Sequence, residues 1–87
     1  MNATIGDRIK LLRKEMELTQ TQLAQRLGVD RSTISKYECG ERQIPIGSLV
    51  PLAKILRVST DYLLGNSDQR YIGTGNVRIT YDDIKKT

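Results

Sequence analysis

The sequence predicts an all-α fold of five short helices, followed by a tail that changes character after Gly65. Three observations carry this expectation. Apolar residues recur at three- and four-residue spacing, the period of a half-buried helix. Hydroxyl or acidic residues suited to N-caps stand before several of those stretches. Gly28, Gly40 and Gly65 stand where the second, third and fifth should stop.

The first helix opens at Thr4, with Asp7 three residues on, a capping-box-like pair. Ile5, Ile9, Leu12 and Met16 then form one buried stripe, and Arg8, Lys10, Arg13, Lys14 and Glu15 occupy the other faces. Thr19 and Gln22 form a second capping box, with Leu18 and Leu23 placed as a hydrophobic staple around it. That helix runs to about Leu27. Asp30 is the next N-cap, with Val29 and Ile34 in staple positions, and the third helix ends near Gly40. The two caps lie so close that the second and third helices must turn sharply, and Ala24 is small enough to let them approach.

Residues 44–56 supply the fourth helix, with Leu49, Leu52, Ala53 and Leu56 toward the core. Pro51 lacks a backbone N–H and is tolerated best in a first turn, so the sequence favours Ser48 as its cap. Ser59 caps a fifth helix over residues 60–64. In the tail, Val77, Ile79 and Tyr81 alternate with Arg78 and Thr80, a short-strand pattern that Tyr71 and Ile72 can pair with as a β-hairpin.

The chain has 87 residues, enough for one modest core. The lone cysteine, Cys39, forms no internal disulfide, which fits a reducing, cytoplasmic setting. It reads as a passive residue near a helix end. Histidine is absent, which removes histidine catalysis and histidine metal ligation. The apolar runs are too short for a membrane span or a signal-peptide core. A net charge of +4 weakly favours an anionic partner.

The third helix raises the functional question. At about 100° per residue, Ile34 and Tyr37 share one side, while Arg31, Ser32, Ser35 and Lys36 share the opposite one. A polar helix face is ordinarily just solvated. These side chains, however, are also those that read base edges in a major groove. The tight turn before them makes a helix-turn-helix, whose second member enters the groove. Thr19 and Gln20 begin the preceding helix, where N–H groups and the dipole favour phosphate, and Arg42 follows the candidate reading helix.

The stretch "LTQTQLAQRLGVDRSTISKYECGERQIP" resembles the helix-turn-helix of the Cro/C1 (XRE) family of bacterial and phage repressors. The matching positions are Leu18, Thr19, Gln20, Leu23, Ala24, Leu27, Gly28, Val29, Ile34, Ser35, Tyr37, Glu38 and Gly40. The likeness extends through "LAKILRVSTDYLLG" at residues 52–65. It implies a compact lambda-repressor-like domain over residues 1–65. It implies sequence-specific binding of double-stranded DNA, usually as a homodimer on a pseudo-palindromic operator, with no cofactor, metal or enzymatic role.

By position, Arg31, Ser32 and Lys36 resemble the family's base-reading residues, with Ser35 a further candidate. Gln20, with Thr19 before it, and Arg42 resemble phosphate contacts. Arg13 and Glu38 match a pair that forms a salt bridge between the first and third helices in some members. Glu17 departs from the pattern, since many members have Gly or Asn at that turn. Residues 66–87 have no counterpart in the resemblance.

The leading expectation is a transcriptional regulator acting as a repressor. The alternative is an antitoxin whose tail binds a protein partner, its toxin. A metal-dependent nuclease is a poor third: Asp82, Asp83 and Lys85 lie within four residues, without a second carboxylate element. Gly73, Thr74 and Gly75 read as a turn, because no strand–loop–helix surrounds them.

Overall fold

The protein is described here over residues 4–70 of a computed structural model. Five helices follow one another: α1 (Ile5–Glu15), α2 (Gln20–Leu27), α3 (Arg31–Cys39), α4 (Ile46–Leu56) and α5 (Thr60–Leu64). Among the described residues there is no strand. The hairpin expected over residues 71–81, and the acidic group beyond it, lie outside the described residues.

Local hydrogen bonding explains most of the boundaries. The Thr4 hydroxyl accepts from the Asp7 N–H at 3.1 Å, and the Asp7 carboxylate accepts from the Thr4 N–H at 3.1 Å. Thr19 and Gln22 exchange the same reciprocal pair at 3.0 and 2.8 Å. The Ser59 hydroxyl accepts from the Tyr62 N–H at 3.0 Å. Asp30 sits at the N-cap of α3, but its carboxylate accepts from the Thr33 hydroxyl at 3.1 Å rather than from a backbone N–H. Gly28, Gly40 and Gly65 close their helices with φ between 82° and 83°.

The start of α4 corrects the sequence reading. Ser48 is not the cap; the helix begins at Ile46 behind Pro45, whose carbonyl accepts from the Ser48 and Leu49 N–H groups at 2.9 and 3.1 Å. Pro51 therefore lies inside the helix. The bond it cannot donate would have gone to the carbonyl of Gly47, four residues back. Gly47 is exposed, so water can take that carbonyl, and the expected penalty is softened.

Each helix supplies one fully buried side chain: Ile9, Leu23, Ile34, Leu52 and Leu63, all at 0% exposure. Burying one such side chain stabilises by about 1.5–3 kcal/mol, so five meeting at one centre make a shared core. Leu12, Ala24, Tyr37, Leu49, Ala53, Leu56 and Val58 complete it. The packing of α1 on α3 depends on Gly6. A Cβ there would lie 2.5 Å from the carbonyl oxygens of both Tyr37 and Glu38. Only a residue without a side chain lets the two helices come this close.

Between α1 and α2, Glu17 takes φ 59°. The tight turn is therefore kept despite the missing glycine, at the conformational cost of a side chain in left-handed backbone. After Gly65 the chain returns to the helices. The Arg70 carbonyl accepts from the Ser59 N–H, and the Ser59 hydroxyl donates to the Gln69 carbonyl at 3.4 Å. The Arg70 guanidinium lies 5.6 Å from the Tyr62 ring centre and donates to the Glu15 carboxylate at 2.7 and 3.1 Å.

Candidate nucleic-acid interface

Helix α3 has two chemically distinct faces. Ile34, Tyr37 and Glu38 are buried, whereas Arg31, Ser32 and Lys36 are exposed together on the other side. The buried side holds α3 rigidly through an unusual element for a small core, a charged pair. Arg13 Nε donates to Glu38 Oε2 at 2.6 Å, Nη2 donates to Oε1 at 3.1 Å, and the side chains are only 8% and 4% exposed. Arg13 Nη1 also donates to the Leu18 carbonyl at 2.7 Å. One guanidinium thus ties together α1, the turn into α2, and α3.

The carboxylate has a further partner. Gln20, at the first position of α2, donates from Nε2 to Glu38 Oε1 at 3.1 Å. That bond uses one of the two amide hydrogens and leaves the other, with the amide oxygen, for an outside ligand. The sequence alone places Gln20 only as a phosphate contact. Its link to Glu38 had no local signal, because the two are 18 residues apart. Thr19 is exposed, and its oxygen is occupied by the Gln22 N–H, which leaves the hydroxyl hydrogen able to donate outward.

The expected base-contact set is split by the fold. Arg31, Ser32 and Lys36 stay on the open face, but Ser35 is half-buried. It lines a depression of about 190 Å³ together with Lys10, Gln20, Glu38 and Cys39. Arg42 is exposed in the loop after α3 and lines a different groove of about 500 Å³, beside Thr4 and Asp7 at the start of α1. In that corner the Asp7 carboxyl is held below its ordinary range, chiefly by hydrogen bonds from Thr4, with Lys10 and Arg8 adding a smaller pull.

The fold brings Lys10, which the sequence places on the other faces of the first helix, into one depression with Gln20 and Ser35. A signal for this existed. Gly6, Lys10 and Arg13 are spaced four and three residues apart, so all three lie on the α1 face that meets α3. Among the described residues, no three His, Cys, Asp or Glu side chains cluster as a metal site would require. No described helix is long and apolar enough to cross a membrane.

Comparison with known proteins agrees with this geometry. A family model described as helix-turn-helix matches residues 9–63. The uncharacterized HTH-type transcriptional regulator YobD of Bacillus subtilis is 41% identical over 61 residues, which is 70% of this chain and 54% of YobD. A second Bacillus subtilis regulator, YqaE, is 35% identical over 81 residues, 93% of this chain and 64% of YqaE. The chain thus spans little more than half of one of these relatives and just under two thirds of the other. Among solved structures, the P22 c2 repressor in complex with a synthetic operator matches with a TM-score of 0.72 and 33% identity, covering 76% of this chain and 100% of that one.

Proposed function

The chain belongs to the Cro/C1-type (XRE) helix-turn-helix family, and from that membership we propose that it is a sequence-specific double-stranded-DNA-binding transcriptional regulator, acting as a repressor. It acts as a homodimer on a pseudo-palindromic operator. The observation that carries this reading is the geometry of α3. A face of Arg31, Ser32 and Lys36 stands open to solvent on a helix clamped from behind by Arg13–Glu38. A rigid helix presenting two cations and a hydroxyl suits guanine acceptors and mixed base edges in a major groove.

The roles divide by chemistry. Arg31, Ser32 and Lys36 read bases, with Ser35 at the edge of that face. Thr19, Gln20 and Arg42 hold phosphates, which positions the domain but carries no sequence information directly. The likeness to the P22 c2 repressor, whose structure was solved in complex with a synthetic operator, supports DNA binding by this chain.

Selection of bound DNA from a random pool tests the proposal. The expected result is a preferred sequence with two symmetric half-sites, their centres about 10 bp apart or a multiple of that. Lys36→Ala and Arg31→Ala should each also lose about 1–3 kcal/mol of discrimination at one position per half-site. Arg42→Ala should weaken all sequences alike and reduce the salt slope by about one unit. If the Arg31 and Lys36 variants keep the parental preference and lose only affinity, the face binds phosphate and does not read sequence.

A further inference from the structure

Helix α4 carries two stripes. Leu49, Leu52, Ala53 and Leu56 face the core. Ile46, Val50, Lys54 and Arg57 follow at intervals of four, four and three residues, so they share the outward side. Ile46 is 85% and Val50 47% exposed, and Lys54 and Arg57 are exposed with them. Neither cation belongs to the ion pairs found among the described residues. The outward stripe is thus apolar at the start of the helix and doubly positive at its end.

The chain carries a matching stripe of its own. The Arg70 carbonyl accepts from the Ser59 N–H, so residue 70 stands beside the residue two positions past Arg57, at the end of α4. In the sequence that follows, Val77, Ile79, Tyr81 and Asp83 are two residues apart, on one side of the expected strand. That side is apolar first and acidic last, the order of the α4 stripe. A step of four residues on a helix rises about 6 Å. A step of two on a strand rises about 6.5 Å, so the two rows keep register over several positions.

We propose that residues 77–83 lie along the outward stripe of their own α4, parallel to the helix. Val77 meets Ile46, Ile79 meets Val50, Tyr81 covers Lys54 and Asp83 pairs with Arg57. The chain is long enough. Ile46 and Arg57 are about 16 Å apart along the helix. Residues 71–76 reach about 20 Å when extended, which carries the chain from the end of α4 back to its start. A two-stranded hairpin alone is marginal in water, so a strand here needs an apolar surface, and Ile46 and Val50 supply it. An aromatic face suits an ammonium, and a carboxylate suits a guanidinium. The tail then closes the α4 stripe to other molecules and leaves Arg31, Ser32 and Lys36 open.

Cross-linking of the full chain, without DNA, tests this contact separately from DNA binding. Cys39→Ser is the background, and a short bis-maleimide links introduced cysteines that meet. Ile46→Cys with Val77→Cys is the pair in register. Ile46→Cys with Tyr81→Cys is displaced along the strand by about 13 Å. The two loops differ so little in length that a chain with no seat would link both pairs at nearly equal rates. The pair in register should link about tenfold faster or more, at the mass of one chain. Asp83→Lys should slow that link roughly threefold, and adding Arg57→Glu should restore it. Equal rates, or no link in either pair, would overturn the seat and leave the stripe to another protein. A product of twice the mass would give the stripe to the tail of a second copy and overturn the contact within one chain. A link that Asp83→Lys does not slow, or that the reversed charges do not restore, would overturn the register.

Discussion

Removing Glu38 should damage this domain more than any exposed charge would. Glu38→Ala deletes the acceptor of three hydrogen bonds: two from Arg13, at 2.6 and 3.1 Å, and one from Gln20, at 3.1 Å. Arg13 stays behind, its side chain 8% exposed, with the Leu18 carbonyl as its remaining partner. Breaking a buried pair in this way costs about 3–5 kcal/mol, because the other charge is left uncompensated. A small domain has only about 5–15 kcal/mol in total. At about 4–8 °C per kcal/mol, the melting temperature should fall by at least roughly 12 °C. Urea unfolding followed by far-ultraviolet circular dichroism measures the loss. The control is Arg13→Met with Glu38→Leu, which removes both charges and keeps apolar bulk. It should lie within about 1–2 kcal/mol of the parent, the remainder being the Leu18 carbonyl and the Gln20 amide left without their partners. A Glu38→Ala variant within about 1 kcal/mol of the parent would show a pair behaving as if solvated. A double variant as damaged as the single would show that packing, not charge, is what matters.

Gly6→Ala should destabilise by about 1–3 kcal/mol in chemical denaturation, despite alanine's better helix propensity, since its Cβ would strike two backbone carbonyls; a more stable variant would refute the close approach of α1 to α3. Glu17→Gly should gain roughly 0.5–1 kcal/mol by relieving the left-handed backbone at φ 59°, less the entropy glycine loses; a loss on thermal melting would mean the glutamate side chain contributes something else. The Glu15 carboxyl is held below its ordinary 4.5, first by the hydrogen bond from Arg70 and further by its charge. Because the folded-state value is depressed, the contact contributes above the ordinary value and is lost as pH falls through the lowered one. Arg70→Ala should return the Glu15 titration upward in carboxyl NMR, and an unmoved titration would show that residues 66–70 do not close on α1 in solution.

The candidate site was legible where its chemistry is local. The exposed row Arg31, Ser32 and Lys36 follows from helical periodicity, and the structure keeps it open. Ser35 was grouped with them by the same wheel, but neighbouring helices half-bury it, which a wheel drawn for one helix does not contain. The position of Lys10 was not legible for a related reason: it lines one depression with Gln20 and Ser35, residues ten and twenty-five positions away.

What the sequence by itself determined is the set of helix starts and stops that rest on contacts between near neighbours. The Thr4–Asp7 and Thr19–Gln22 boxes, the Ser59 cap and the glycine terminators each close within a few residues, so composition is enough to reveal them. Tertiary structure decided what local rules rank wrongly or cannot see. Local preference placed Pro51 in a first turn, yet α4 begins at Ile46 and carries Leu49, Leu52, Ala53 and Leu56 into the core. One lost hydrogen bond, with its carbonyl left to water, is a smaller penalty than misdirecting that apolar face. The contact of Gly6 with the end of α3, and the meeting of Arg13, Gln20 and Glu38, likewise exist only when three helices come together. Their energies depend on burial and distance, and neither is a property of sequence spacing.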